Sequence, residues 1–408
     1  MQMSNYLFVF YTNIGGLYMS KDIVNGFEDS FSELIDPRIE RCKLYPLVEI
    51  LFIVLCGSVC GAESWRDFVL FGQEKLEFLR EYYPYNNGIP SKNTFARLFA
   101  VLDPETFKKC FISWVKSLQK TLGEVIAIDG KTLCNSRDTA TDLAPIHMVS
   151  AFATEARLVL GQQKTEDKSN EITAIPKLLD LLSLKGHIIT IDAIGTQKNI
   201  AKKVHEKEGD YVLALKGNQG SLNNDVRLFL EAEAQKPLSK AISDTYEHVD
   251  KGHGRIEIRR CIVSDQIDWL DQKQQWPGLK TVAMIEETRE VQGKTSVERR
   301  FFISSLSANA EQIASAVRSH WLIENALHWT LDVVFDEDQS RIRKDNAGEN
   351  MAMVRHITVN MLNGAKKCFK GVSLKALRKK AGWGNKTLHT ILKQNWVCKV
   401  FCVNGFTH

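Results

Sequence analysis

Two short runs of β-branched residues in this chain each end on an aspartate, and this feature constrains the fold more than any other. The runs are Val125–Asp129 and His187–Asp192. Short apolar runs bounded by turn residues predict buried strands, so each acid is expected at the rim of a sheet. Two carboxylates that meet at one place repel each other unless they share a cation. The pair therefore predicts a hard metal ion and phosphoryl transfer.

The composition is that of an ordinary globular protein, with 44% hydrophobic and 25% charged residues. Its 408 residues allow two or three domains. Nine scattered cysteines without zinc spacing predict reduced thiols in a cytoplasmic, nucleoid-associated protein. The apolar run before residue 18 is too short to span a bilayer, and Met19 is a candidate natural start. The run 47–62 contains Glu49 and predicts a buried helix, so no membrane partner is expected.

The order of elements between residues 124 and 215 predicts the fold class. Three strands are followed by a helix, the strand ending at Asp192, a second helix and a fifth strand. This order predicts an α/β fold with an RNase H-like mixed sheet, in which the first and fourth strands lie side by side. The expected domains are an extension at 1–27, a helical N-terminal domain at 28–122, an RNase H-like catalytic domain at 123–345 with a β-rich insertion at about 220–305, and a basic helical C-terminal region at 346–408.

A third acid is needed to complete a two-metal site, and Glu324 is the candidate. It lies on a predicted helix, with His320 and His328 one turn away on either side. These histidines are more consistent with a structural role than with zinc, because no HExxH motif occurs. The rival acids lie at or beyond the end of the helix, where capping or solvation is the usual role. They are Asp332, Asp336, Glu337 and Asp338.

Basic residues predict where a polyanion binds. Glu349 is the last acidic residue, and eleven lysines and arginines follow it. A basic segment with apolar spacing favours nucleic acid, although a solvated helical face is the alternative. Gly252–Arg255 suits either a phosphate contact or a plain turn, and Gly130–Thr132 lacks the upstream glycine of a nucleotide-binding loop. The predicted DNA contacts are Lys131, Lys216, Arg255, Lys375, Arg378, Lys379 and Lys380.

Several longer strings resemble those of the H-repeat-associated transposases of Rhs elements, within the DDE transposase superfamily. The resemblance covers nearly the whole chain. Its strings include Asp36–Arg38, Cys56–Ala62, Gly88–Ser91, Ala127–Lys131, Ile191–Ala193, Leu213–Gln219, 253–257, Arg318–Asn325 and Leu327–Val333.

The resemblance implies a metal-dependent DNA transposase with a catalytic and metal-binding triad of Asp129, Asp192 and Glu324. It implies Mg²⁺ or Mn²⁺ as cofactor, cleavage and strand transfer at element ends, double-stranded DNA as partner and a homo-oligomer on that DNA. Related enzymes carry a Tyr, an Arg and a Lys at fixed distances from the Glu. Here those positions hold Val317, His320 and Leu331, which leaves the details of strand handling open.

Two other interpretations of the sequence remain open. The chain could be a different RNase H-like nuclease, although the insertion and the flanking helical regions argue against it. It could also be a catalytically inactive DNA-binding remnant, against which the intact set of three acids argues.

Overall fold

The structure, a computed structural model, describes residues 21–118, 124–137, 144–166, 171–252 and 255–396. The candidate start at Met19, most of the predicted extension, and His253 and Gly254 lie outside the described residues. The described chain packs as two compact units. One contains residues 21–118, 133–137, 144–146 and 329–396, and the other contains 124–132, 147–166, 171–252 and 255–328. These units are defined by packing and do not show which segments fold independently. The predicted domain limits therefore stay predictions.

The first unit is helical. Its helices include residues 21–31, Leu47–Val59, Trp65–Glu74, Leu76–Leu79, Lys92–Val101, Pro104–Leu118, Trp329–Val333, Ala347–Ala365, Leu374–Trp383 and Asn385–Trp396. Ile23 and Phe27 are fully buried in the first of these, so helical structure begins before the predicted limit at residue 28.

The apolar helix Leu47–Val59 lies in the core of this unit. The stretch Glu40–Val59 is apolar enough to cross a membrane by composition, with a mean hydropathy of 1.8, yet 61% of it is buried in the structure. Every residue from Glu49 to Val59 is buried, and Glu49 accepts a hydrogen bond of 3.0 Å from the Tyr85 N–H. Burial in the core accounts for the apolar composition, as the sequence predicted.

The second unit is built on one nine-stranded sheet. Its strands are β1 (Val125–Thr132), β2 (His147–Ala153), β3 (Leu158–Lys164), β4 (Ile188–Ile191), β5 (Asp210–Leu215), β6 (Asp244–Gly252), β7 (Arg255–Ser264), β8 (Thr281–Val291) and β9 (Lys294–Ser304). The order across the sheet is β3-β2-β1-β4-β5-β9-β8-β7-β6. The helices that accompany them are Glu171–Leu181, Lys198–Glu206, Gly220–Ala234 and Ala310–Leu322.

The first five strands have the predicted RNase H-like arrangement. β1 pairs antiparallel with β2 and parallel with β4, and β4 pairs parallel with β5. Parallel neighbours need crossover connections, which the helices Glu171–Leu181 and Lys198–Glu206 supply. Ile126 and Ile128 are fully buried in β1, and burying each contributes about 1.5–3 kcal/mol. The mixed α/β fold class is therefore confirmed.

The predicted β-rich insertion continues this sheet. It starts with the helix Gly220–Ala234, and its four strands join the sheet through the antiparallel pairing of β9 with β5. Val212, Val263 and Phe302 from these strands pack against Ile313 and Ala316 of the helix Ala310–Leu322. The insertion and the helix that precedes Glu324 therefore share one apolar core.

The sequence predicts one continuous helix around Glu324, but the structure interrupts it. The α-helix Ala310–Leu322 passes into a π-helical turn at Ile323–His328, and α-helix resumes at Trp329–Val333. A π-turn holds one more residue than an α-turn, so it shifts the side chains that follow it around the helix axis. Turns of this kind occur frequently at functional sites.

Candidate active site

The parallel pairing of β1 with β4 brings the two strand-end aspartates together. The last pair in the register is Ile128 with Ile191, so Asp129 and Asp192 occupy the next position on neighbouring strands. Side chains alternate between the faces of a sheet, so both acids lie on the face that carries Ala127 and Thr190. The two carboxylates thus meet at one edge of the sheet.

Each aspartate is oriented by backbone N–H groups. The Gly130 N–H donates to Asp129 Oδ1 at 2.9 Å. Asp192 Oδ1 accepts from the N–H groups of Ile194 at 3.0 Å and Gly195 at 3.1 Å. Asp129 Oδ2 lies 3.7 Å from His328 Nδ1. These contacts fix both carboxylates without supplying a positive charge.

Glu324 lies on the π-turn next to the pair. Its side chain is exposed, and its charge is a minor cause, after burial and the other acids, of the raised pKa of Asp129. The preceding turn is anchored on the same face of the sheet, because His320 Nδ1 lies 3.1 Å from Thr190 Oγ1. The structure therefore places Glu324 within electrostatic reach of Asp129. Its role as a metal ligand stays a prediction.

The two flanking histidines are held as neutral groups. Burial lowers the pKa of His320 to about 4. Burial also lowers the pKa of His328 to about 4, and the Lys131 cation adds to this effect. The imidazole rings therefore do not neutralise the acids near neutral pH.

The acids are consequently under electrostatic strain. Burial raises the pKa of Asp129 to about 7, and the neighbouring carboxylates add to the rise. Burial also raises the pKa of Asp192, although the Gly195 N–H and the Lys216 cation oppose the shift. A buried group with a strongly shifted pKa in the company of like charges is typical of functional sites.

Sequence reasoning missed a carboxylate that lies on the opposite face of the same strand, below Gly130. Glu171 acts electrostatically on both Asp129 and Asp192, and its Oε1 lies 2.6 Å from His147 Nε2. His147 Nδ1 in turn lies 2.8 Å from Thr132 Oγ1. Acidic residues are common in the first turn of a helix, where they complement the helix dipole, so the position of Glu171 gave no functional signal.

The donor set suits a hard cation, although a finished ligand cage is not present. Among the described residues, no group of three or more His, Cys, Asp or Glu side chains is arranged to hold a metal ion. The acids nevertheless offer carboxylate oxygens, which Mg²⁺ and Ca²⁺ prefer. Burial and the neighbouring carboxylates raise the pKa of Asp129, and a bound cation would neutralise the negative charge of these acids. The residues therefore fit a divalent cation by charge and by chemistry.

The predicted DNA contacts of this unit have different surroundings. Lys216 is exposed directly after β5, and Lys131 is half-buried beside His328. Arg255 is exposed, but it forms an ion pair of 3.1 Å with the buried Glu257. Lys216 and Arg255 are thus more exposed than Lys131, and the DNA contacts of all three stay predictions.

In the helical unit, the structure corrects one predicted DNA contact. Lys375, Lys379 and Lys380 are exposed on the helix Leu374–Trp383, whereas Arg378 is buried. The Arg378 guanidinium donates to the Ser58 carbonyl at 3.0 Å and to Glu63 Oε1 at 3.0 Å. It is also stacked 4.1 Å from the centre of the Phe335 ring. Arg378 stabilises this unit, and its prediction as a phosphate contact is wrong.

One rival for the third acid has a structural partner in its own unit. Glu337 is buried and lies 3.3 Å from Arg355 Nη1, which is buried as well. Breaking such a pair would leave an uncompensated buried charge, so this carboxylate is committed to the helical unit.

The sheet order and the paired strand-end acids define an RNase H-like protein. The family model described as "Transposase DDE domain" matches residues 120–361, and a model described as "DDE_Tnp_1-associated" matches residues 28–115. The chain belongs to the DDE transposase family.

Curated relatives agree with this membership over most of the chain. The chain is 43% identical over 369 residues to the "H repeat-associated putative transposase YhhI" of Escherichia coli K12, an alignment that covers 89% of this chain and 94% of that relative. It is 42% identical over 369 residues to the "Putative transposase YncI" of Escherichia coli O157:H7, covering 89% and 93%. The piggyBac transposase synaptic complex with hairpin DNA is similar at 12% identity, with a TM-score of 0.41 over 94% of this chain and 80% of that one.

The raised pKa of Asp129 predicts a stability that depends on pH when cations are removed. A carboxyl group whose folded pKa is raised destabilises the fold above that pKa and has no effect below its unfolded pKa, near 3.9. In EDTA above pH 7, Asp129→Asn should therefore exceed the wild type in free energy of unfolding by on the order of 4 kcal/mol. The difference should disappear below pH 4. Urea titrations across this range measure it, with the exposed Asp225→Asn as the control. Parallel curves for the wild type and Asp129→Asn would contradict the assigned strain.

The burial of Arg378 predicts that two neighbouring basic residues differ in their effect on stability. Arg378→Ala leaves the Ser58 carbonyl and Glu63 without their partner, so the free energy of unfolding should fall by about 2–4 kcal/mol. Lys379→Ala, on the exposed face of the same helix, should change it by less than about 0.5 kcal/mol. Urea unfolding measures both variants. Equal effects would mean that Arg378 is not the buried anchor.

Proposed function

We propose that this chain is a DNA transposase that cleaves and joins DNA at the ends of a mobile element, using Mg²⁺ or Mn²⁺. The observation that carries the proposal is the pair Asp129 and Asp192, adjacent in register on buried parallel strands. Membership of the DDE transposase family supports the same chemistry, and relatives that cover most of the chain are named as transposases.

The acidic residues would hold the cation. Asp129 and Asp192 are already oriented, whereas Glu324 is exposed on a π-turn from which it can complete the ligand set. A bound divalent cation would lower the pKa of the attacking water or 3′-hydroxyl and stabilise the charge on the leaving oxygen.

The other residues of the site would orient the acids and bind the DNA backbone. His328 is neutral and lies 3.7 Å from Asp129 Oδ2, so it restricts this carboxylate without neutralising it. Lys216, exposed after β5, is suited to a phosphate oxygen near the acids. No side chain needs to form a covalent intermediate, because water and the DNA 3′-hydroxyl are the nucleophiles.

The basic face of the helical unit would hold duplex DNA. Lys375, Lys379 and Lys380 are exposed on one helix, and no acidic residue follows Glu349 in the sequence. Phosphate contacts of this kind supply affinity without reading the base sequence. A homo-oligomer assembled on the DNA is part of the same proposal.

The catalytic role of the acids predicts a separation of cleavage from binding. Asp129→Asn should reduce Mg²⁺-dependent cleavage of an element end by at least 10³-fold, because an amide is a poor ligand for a hard cation. DNA affinity should change by less than threefold, since the lysine contacts remain. Gel-based cleavage and fluorescence anisotropy measure the two quantities, with Asp225→Asn as the control for charge. Cleavage by Asp129→Asn at the wild-type rate would contradict the assignment.

The exposed lysines predict a change in the salt dependence of DNA binding. Replacing Lys375, Lys379 and Lys380 together by Gln should lower the log–log slope by ~0.9 for each phosphate of duplex DNA that these lysines neutralise. The control is a triple Gln variant at Lys185, Lys202 and Lys240, which are exposed in the other unit and carry the same total charge. A slope that falls equally in both variants would mean that net charge alone, and not this face, binds the DNA.

A further inference from the structure

One helix of the helical unit carries a very exposed tryptophan on its outer face. The helix Leu374–Trp383 buries Leu377 and Ala381 completely, whereas Trp383 at its end is 81% exposed. Tryptophan is highly buried on average in folded proteins. A single exposed apolar side chain is nevertheless common, so the surroundings of Trp383 decide what its exposure means.

The exposed side chains of this helix form one stripe with an uncharged centre. With about 3.6 residues per turn, Ala376 and Trp383 lie about two turns apart along the middle of the stripe. Lys375 and Lys379 lie along one side of this middle line, and Lys380 lies along the other side. All five side chains are exposed. The outer face is therefore an apolar ridge with cations on both sides.

The unit holds this face in a fixed orientation. On the inner side of the helix, Arg378 donates to the Ser58 carbonyl at 3.0 Å. Next to Trp383, a Cβ atom added at Gly382 would lie 3.1 Å from the Cys60 carbonyl oxygen, so the end of the helix approaches this backbone closely. A face that is fixed in advance loses less conformational entropy when it binds a partner.

The major groove of duplex DNA is complementary to such a face. It is about 12 Å wide and admits an α-helix. Cations on both sides of the helix can then neutralise phosphates of both strands, while the central side chains face the base edges. A membrane surface suits this face less well, because a membrane-bound helix needs a wide apolar face, and Leu377 and Ala381 are buried in the protein core.

We propose that the helix Leu374–Trp383 enters the major groove of duplex DNA and that Ala376 and Trp383 contact base edges there. The inference rests on the proposed function and goes beyond it, because phosphate contacts carry no sequence information. The small Ala376 permits a close approach to the bases. The Trp383 ring supplies apolar area, which suits contact with a thymine methyl group. Trp383 therefore contributes to the recognition of the element end.

Binding of the full chain to two duplexes of equal length tests the proposal by fluorescence anisotropy. One labelled duplex contains an element end, and the other has an unrelated sequence. Trp383→Ala should weaken binding to the element end at least tenfold and leave binding to the unrelated duplex within twofold. Trp383→Phe keeps an apolar ring and should restore part of the affinity. Leu70→Ala is the matched control, because Leu70 is 58% exposed on another helix of this unit.

Dimethyl sulfate identifies the groove that the helix enters. It methylates guanine N7, which lies in the major groove, and adenine N3, which lies in the minor groove. The wild type should protect guanine N7 atoms of the element end, and Trp383→Ala should lose part of this protection. Ala376→Gln adds bulk at the centre of the exposed face and should weaken binding to the element end at least fivefold. Circular dichroism confirms that each variant is folded.

The outcomes distinguish this inference from the proposed function. If the triple Gln variant of Lys375, Lys379 and Lys380 binds DNA weakly while Trp383→Ala binds like the wild type, base contact is overturned and the proposed function stands. Equal losses on both duplexes in Trp383→Ala would also overturn base recognition. Protection of adenine N3 alone would overturn the major groove. Binding to anionic lipid vesicles that only Trp383→Ala abolishes, with DNA binding unchanged, would assign this face to a membrane. A wild type that binds neither duplex would overturn the proposed function itself.

Discussion

The parallel pairing of β1 with β4 is the interaction on which the rest of the site depends. It aligns Ile128 with Ile191 and thereby sets Asp129 beside Asp192 at one edge of a buried sheet. A shift of one residue in either strand would turn one acid to the opposite face. The helix Ala310–Leu322 covers this face and contacts Thr190 through His320, and the π-turn that follows it carries Glu324 and brings His328 to Asp129.

The same pairing creates an electrostatic cost that the protein itself does not offset. Burial and neighbouring carboxylates raise the pKa of Asp129 to about 7, and the two nearby histidines that burial holds neutral provide no counter-charge. Lys216 relieves only part of the strain at Asp192. Strongly shifted pKa values of this kind are typical of functional sites, and a bound divalent cation would relieve the repulsion between the acids. Electrostatics and family membership thus lead to the same chemistry by separate routes.

The sequence predicted the parts of the fold that depend on local patterns. β-branched runs identified β1 and β4, and the alternation of strands and helices was sufficient to place β1 beside β4, whereas the continuation of the sheet through the insertion strands was not predicted. The π-turn at Ile323–His328 could not be predicted, because apolar residues continue at helical spacing through it. Arg378 was misassigned because a basic helix has no local signal for the face that packs inward. Glu171 was missed because its electrostatic effect on the aspartates arises from tertiary structure, which packs it against Gly130 and His147 on the other face of β1.

Joining of a pre-cut element end to a second duplex tests the central claim most directly. A hydrolytic nuclease needs only one attack by water, whereas a transposase must retain the new 3′-hydroxyl at the same acids and use it as the next nucleophile. Purified protein with Mg²⁺ should produce joined strands, and Asp192→Asn and Glu324→Gln should each abolish cutting and joining together. Efficient cutting of the element's own ends by the wild type, without any joined product, would contradict this account and favour a nuclease.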